Sequence, residues 1–226
     1  MTDWHGCPAV GPISLEGDHC RVEPLSDEHL ADLYDALVLG SPPQLWTYLS
    51  AGPFAERAGF EAYVERLRGT PGWSPHALVP LRGPRAGRAA GIACYLRCDP
   101  SAGSVEVGGL SFDAVIQRTV VTTEAMFLMA RHVFDDLGYR RYEWKCDALN
   151  AASRSAALRL GFTSEGIFRQ ALVYKDRNRD TAWFSITDAE WPALRSAYDA
   201  WLDPSNFDAA GHQVRSLGEI RATRVG

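Results

Sequence analysis

The sequence predicts a single α/β (α+β) domain: a mixed, mostly antiparallel sheet with one parallel strand pair, flanked by helices. Three observations predict it. The chain has 226 residues, 46% hydrophobic and 23% charged, an ordinary globular composition that buries roughly 70% of its unfolded surface at this size. Apolar spacing changes along the chain from about 3.6 residues to about two and back, which separates helices from strands. A strand, a long helix and another strand run in succession between 104 and 147, and the right-handed crossover rule makes those two strands parallel neighbours.

Each element follows in order. After an arm of residues 1–12, residues 13–25 read as a strand or short strand pair broken at Gly17-Asp18. Ser26 is a helix N-cap, followed by Leu30, Leu33, Tyr34 and Leu37 at helical spacing and by Gly40 as a stop. Pro42-Pro43 restarts a short helical piece through Leu45, Trp46 and Leu49. Phe60, Tyr63, Val64 and Leu67 then mark a helix ended by Gly69. Strands are predicted at 76–82, 89–98 and 104–112 as an antiparallel meander. Gly108-Gly109 inside the third strand weakens its ladder and marks a bulge.

A long helix at 119–137 stops at Gly138. The strand 139–147 alternates Tyr142, Trp144 and Cys146 with Arg141, Glu143, Lys145 and Asp147. A short helix at 151–160 stops at Gly161, and strands at 162–175 and 179–187 form a hairpin around Asp176-Arg177-Asn178. A last helix at 188–202 carries Trp191, Leu194, Tyr198 and Trp201. The domain therefore spans 13–202, and a polar tail, 203–226, follows it.

Composition narrows the function. The net charge of −5 does not suit a phosphate backbone, so no nucleic-acid partner is predicted. No apolar run approaches the roughly 20 residues of a membrane span. The N-terminus lacks the basic start and apolar block of a signal peptide, so the expected location is cytoplasmic. The five cysteines are odd in number without a CxxC, which suggests neither a disulfide framework nor a zinc ribbon. Cys94 and Cys98 are about 13 Å apart along a strand at ~3.3 Å per residue, too far to share a metal. His5/Cys7 and His19/Cys20 have no downstream partner pair, so no metal is predicted.

Three segments carry chemistry: Glu106-Val-Gly-Gly-Leu-Ser-Phe, Gln117-Arg-Thr-Val-Val-Thr-Thr-Glu-Ala125, and Asn150-Ala-Ala-Ser153 through Gly161-Phe162. With the element order over 13–187, they resemble the GCN5-related N-acetyltransferase (GNAT) superfamily, and within it the RimJ/RimL-type ribosomal-protein N-terminal acetyltransferase branch. Gln117-x-x-Val120-x-Thr122 stands where the family has Arg/Gln-x-x-Gly-x-Gly/Ala, followed by the branch's Thr123-Glu124-Ala125. Asn150-x-x-Ser153, Gly161-Phe162 and Glu165-Gly166 match the second acetyl-CoA segment.

The resemblance implies an acyl-CoA-dependent N-acyltransferase. It would move acetyl from acetyl-CoA to a primary amine, a protein or peptide N-terminus or a small amino compound, by direct attack in a ternary complex. The alternative is a non-catalytic acyl-CoA-binding sensor or interaction module on the same fold. A different donor such as succinyl-CoA would need a cation in the pocket. The polar tail is expected either to close the acceptor site or to mediate a homodimer.

The candidate residues have physical roles. A loop of Gln117, Arg118, Thr119, Val120, Val121 and Thr122 at the start of a long helix offers unpaired N–H groups to a pyrophosphate. Arg118 adds a cation, and Thr119 and Thr122 add hydroxyls. Val120 replaces a family glycine and is compatible with the role only at negative φ. The resemblance implies that the two parallel strands splay and receive the pantetheine arm, whose amides bond the exposed backbone. Glu106 is the candidate general base, because the attacking amine must be neutral; Asp113 and Asp147 are fallbacks. Ser153 is the candidate acid for the leaving thiol, with Tyr174 and Tyr142 as alternatives. Asn150 is an N-cap, and the resemblance adds a contact to the cofactor arm. Trp46/Tyr48 and Trp183/Phe184 read either as an acceptor pocket or as core. Asp135-Asp136 and the run 175–180 read as solvated faces and turn.

Overall fold

The computed structural model describes residues 4–223, so the outermost three residues of both the arm and the tail lie outside it. Eight strands form one sheet: β1 (Leu15–Glu16), β2 (Cys20–Pro24), β3 (Ser74–Pro80), β4 (Gly91–Asp99), β5 (Ser104–Phe112), β6 (Arg141–Asp147), β7 (Thr163–Tyr174) and β8 (Arg177–Thr187). Their spatial order is β1-β2-β3-β4-β5-β6-β8-β7. Every pairing is antiparallel except β5 with β6, as the crossover rule requires. The predicted strands 104–112 and helix 151–160 stand at their observed bounds, while β3 and β4 are displaced by about two residues, within ordinary boundary error.

The helices segregate by the alternation of side chains across the sheet. One layer contains α1, a continuous helical stretch over 27–39 that tightens at Asp27–His29 and widens to a π-helical turn at Asp35–Leu39, and α2 (Arg57–Gly69). Leu33, Leu37, Phe60, Tyr63, Val64 and Leu67 pack there on Ala77, Val79, Ile92, Cys94 and Leu96. The opposite layer contains α3 (Val120–Arg131, continued through His132–Asp136), α4 (Ala151–Leu160) and α5 (Trp191–Leu202). Leu78, Ala93, Tyr95, Val105, Val107, Tyr142, Trp144 and Cys146 face that layer. Among the described residues, β6, β7 and β8 contribute nothing to the α1–α2 core, so that half of the sheet face, the open face, has no helix of this layer packed on it.

Two predictions need correction. The β7–β8 turn is Lys175-Asp176, both at positive φ (49° and 57°), rather than Asp176-Arg177-Asn178. Paired left-handed residues match the twist of a two-residue hairpin. The tail is not simply polar: it folds into α6 (Leu217–Ala222), capped by a reciprocal Ser216–Glu219 box. Leu217 and Ile220, only 1% and 3% exposed, join the core on the α3 side, and Arg221 Nη1 donates to the Leu158 carbonyl of α4. The described part of the tail thus packs on the layer opposite α1 and α2, not over the open face.

Candidate active site

The sheet opens between its two parallel strands. β5 and β6 pair from Ser104↔Arg141 to Val107↔Trp144 and no further, although β5 continues to Phe112 and β6 to Asp147. Beyond that point, alternate backbone N–H and C=O groups of each strand face the opening and need partners. The Gly108-Gly109 bulge is present: Ile92 pairs with Ser111 and Cys94 with Gly108, so Gly109 and Leu110 together oppose Ala93. Gly109 sits at φ 61°, where an added Cβ would also meet Cys94 Sγ at 3.2 Å.

Glu106 lies at the last turns of the paired segment, 3% exposed. Its Oε2 receives Arg97 Nη1 at 2.8 Å and lies 3.0 Å from Lys145 Nζ. Lys145 also reaches Glu143 at 2.7 Å and sits 3.8 Å from the centre of the Trp183 ring. Burial pushes the Glu106 carboxyl above the ordinary carboxylate value. Arg97 and Lys145 pull it back and Glu143 adds to the rise. The other oxygen, Oε1, lies 3.1 Å from where a Cβ on Gly108 would stand, so glycine there keeps that side of the carboxylate clear.

The loop into α3 is pinned from below. Arg85 Nε donates to buried Asp113 Oδ2 at 2.6 Å, and Asp113 Oδ1 accepts the Val115 N–H. Asp113 is therefore a loop anchor. Val120 is the first residue of α3 and Thr119 its N-cap, whereas the left-handed residue is Arg118, at φ 61°. The condition on Val120 is met. No side chain caps this helix, so the N–H groups of Val120, Val121 and Thr122 have no partner within it by position.

The side chains of the loop behave differently from expectation. Gln117 Nε2 donates to the Phe112 carbonyl at 2.7 Å, and Thr119 and Thr122 Oγ1 donate to the Ile116 carbonyl at 2.7 and 3.2 Å. They shape the loop instead of offering hydroxyl donors outward. Arg118 is exposed. A second cation is Arg159 of α4, bonded to Thr123 Oγ1 at 3.1 Å, whose proton affinity is lowered by burial and by Arg118 nearby. It carries no motif, and sequence reading passed over it.

Across the opening, Asn150 Oδ1 accepts the Ser153 N–H at 3.0 Å and caps α4. Ser153 Oγ accepts from Trp144 Nε1 at 3.0 Å, which orients the oxygen, and its hydroxyl also bonds the Cys146 side chain. The Cys146 thiol is pushed up by burial, with Ser153 pulling it down. Glu106 shares the sheet side of its partner Leu96 in the α1–α2 core, and Ser153 meets Trp144 on the other side. The two candidates thus flank the opening.

Of the alternatives, Tyr174 donates to Asp147 Oδ2 at 2.8 Å, and burial and that carboxylate raise its hydroxyl above the ordinary value. Asp147 also accepts the Leu149 N–H. Tyr142 is fully buried among α3-side residues, its hydroxyl without a partner among the described residues. Trp46 and Phe184 are core, but Tyr48 and Trp183 border the open face. Arg177 stacks on Tyr48, with its guanidinium 5.2 Å from the ring centre, and bonds the Thr47 carbonyl, and Lys175 bonds the Trp46 and Ala51 carbonyls. The run 175–180 is thus a clamp on the loop after α1, not only a solvated turn. Asp135 likewise holds α5, accepting Trp191 Nε1 at 2.6 Å.

The family model described as Acetyltransferase (GNAT) domain matches residues 20–163. A GCN5-related N-acetyltransferase from Brucella melitensis is 43% identical and superposes with a TM-score of 0.94 over 98% of this chain and 100% of its own. A protein from Chromobacterium violaceum ATCC 12472 assigned to the GNAT family is 33% identical, with a TM-score of 0.77 over 85% of this chain and 94% of its own. An acetyl transferase from Salmonella typhimurium, described as modifying the N-terminal serine of ribosomal protein L7/L12, is 18% identical. It covers 77% of this chain and 99% of its own with a TM-score of 0.64, which speaks to the fold alone. No curated protein matches the sequence.

Proposed function

The chain belongs to the acetyltransferase (GNAT) domain family, and on that premise we propose that it moves acetyl from acetyl-CoA directly to a primary amine in a ternary complex. The acceptor class is a protein or peptide N-terminus or a small amino compound. Acetyl-CoA supplies an activated thioester. The first-turn N–H groups of α3, with Arg118, would hold its pyrophosphate. The backbone beyond Val107 and Trp144 would bond its amide arm, with Asn150 at the rim.

Glu106 takes the proton from the acceptor ammonium, because only the neutral amine attacks. Its raised proton affinity suits that task, since a carboxylate closer to the amine in pKa is the better acceptor. Ser153, held by Trp144, donates to the departing sulfur. The observation that carries the reading is the buried Glu106 carboxylate at the edge of the opening, with Oε2 fixed by two cations and Oε1 kept clear by Gly108.

Free-thiol release from acetyl-CoA, measured over a panel of N-terminal peptides, amino acids and polyamines, tests it. Glu106→Gln is expected to lower kcat by about 10²–10⁴-fold while acetyl-CoA affinity is kept. Binding of acetyl-CoA without release above the blank for any amine would instead favour the non-catalytic module.

A further inference from the structure

The β4–β5 pair carries a second bulge, and it supplies a residue that the motifs do not contain. Leu96 pairs with Glu106 and Asp99 with Ser104, so Arg97 and Cys98 together oppose Val105. Cys98 packs against the core on the α3 side, the cluster that includes Val105. Arg97 is the extra residue. Strand alternation alone would aim its side chain away from Leu96 and Glu106. Its backbone instead takes φ 47°, a conformation uncommon outside glycine, and the guanidinium reaches Glu106 Oε2 at 2.8 Å on the open face.

The neighbouring bulge makes the contrast. There the left-handed position is filled by Gly109, which adopts it without steric cost. Were Arg97 needed only to shape the strand, glycine would serve as well. Bulges re-aim side chains beside functional sites, and this one delivers a cation that stays 56% exposed while touching a carboxylate 3% exposed. The charged groups facing Glu106 are Arg97 from β4 and Lys145 and Glu143 from β6. Lys145 is divided between Glu106 and Glu143, so among the described residues Arg97 is the one cation given to Glu106 alone.

We infer that Arg97 is a positioning residue for the acyl transfer, held by a strained bulge so that it fixes Oε2 of Glu106 and leaves Oε1 to the acceptor. The inference rests on the reading of Glu106 as the base. It also gives the open face a cation with N–H groups uncommitted to Glu106.

The test reads Glu106 directly, in protein carrying ¹³C at its glutamate carboxyls, with the Glu106 resonance identified by its loss in Glu106→Gln. Arg97→Gln should move the titration midpoint up by about one pH unit, and Arg97→Lys should hold it close to the parent value. Arg97→Gly favours the same backbone and should titrate like Arg97→Gln. In thiol release, the acidic limb of kcat/KM should move to higher pH in step, with KM for acetyl-CoA unchanged. An unmoved midpoint in both Arg97→Gln and Arg97→Gly overturns the inference. So does a midpoint that moves in the first and not in the second, which assigns the effect to the backbone. Full activity in Glu106→Gln would overturn the base assignment separately, whatever the titration of Glu106 shows.

Discussion

Glu124 shows a motif residue whose work in the structure is architectural. The sequence places it in the Thr123-Glu124-Ala125 run beside the loop into α3. Its buried carboxylate instead accepts the N–H groups of Asp18, His19 and Cys20 at 2.9, 2.8 and 2.8 Å. It closes the β1–β2 turn, and a Cβ on Gly17 would clash with that carboxylate. Glu124→Gln replaces one of the two accepting oxygens by an NH₂ group that faces at least one of these donors and is expected to cost about 1–3 kcal/mol, read by urea unfolding; an unchanged midpoint would remove this role. Glu106, Asn150 and Ser153 were picked out by the motif resemblance, and the structure sets all three about the opening between β5 and β6. The bonding of the Thr119 and Thr122 hydroxyls was not legible. Near a helix start such groups take the closest orphan carbonyl, here that of Ile116, and no pattern in the letters reports that choice. Arg97 was illegible for a related reason, since strand periodicity assigns it to the wrong face.

The elements were most legible where both ends carry cap chemistry. Helix α4 starts at Asn150 and stops at Gly161, which takes φ 103°, and its predicted bounds stand unchanged. Asn150→Ala is expected to lose about 0.5–2 kcal/mol from the cap and to weaken acetyl-CoA binding as well. Ser153→Ala should keep the cap, because Asn150 accepts from the Ser153 backbone and not from its hydroxyl. It should lower kcat by less than Glu106→Gln does, as a thiol leaves fairly well without full protonation. Melting temperature, acetyl-CoA affinity and kcat measured on both variants check this; a Ser153→Ala protein with full kcat would send the search for the acid elsewhere. The hairpin turn was misplaced because Asp-Arg-Asn has turn composition, while the chain turns where Lys175 and Arg177 can grip the loop after α1. Helix α6 was missed although Ser216 and Glu219 spell a capping box, because the tail is polar on average and its two buried residues are few.

For the whole molecule, layer order and sheet topology followed from periodicity and the crossover rule, whereas the uneven cover of the sheet did not. Nothing in β6, β7 or β8 announces that α1 and α2 stop short of them. The tail belongs to the core economy of the opposite layer, and ending the chain at Asp203 is expected to cost roughly 3–6 kcal/mol through Leu217 and Ile220, measured by thermal or urea unfolding of the shortened protein. A cost near zero would make α6 an ornament. Within the sheet, the strands before and after α3 are joined by the four register pairs from Ser104↔Arg141 to Val107↔Trp144. That short seam is where the sheet has the fewest ladder bonds to break in a local fluctuation. In hydrogen exchange, amides of 108–112 and 145–147 that face the gap should exchange by shallow local fluctuation, and those of 104–107 and 141–144 only by deeper opening. Acetyl-CoA acting as a clasp between the two strands would slow the first set selectively. Equal slowing along the entire chain would mean that the seam does not breathe.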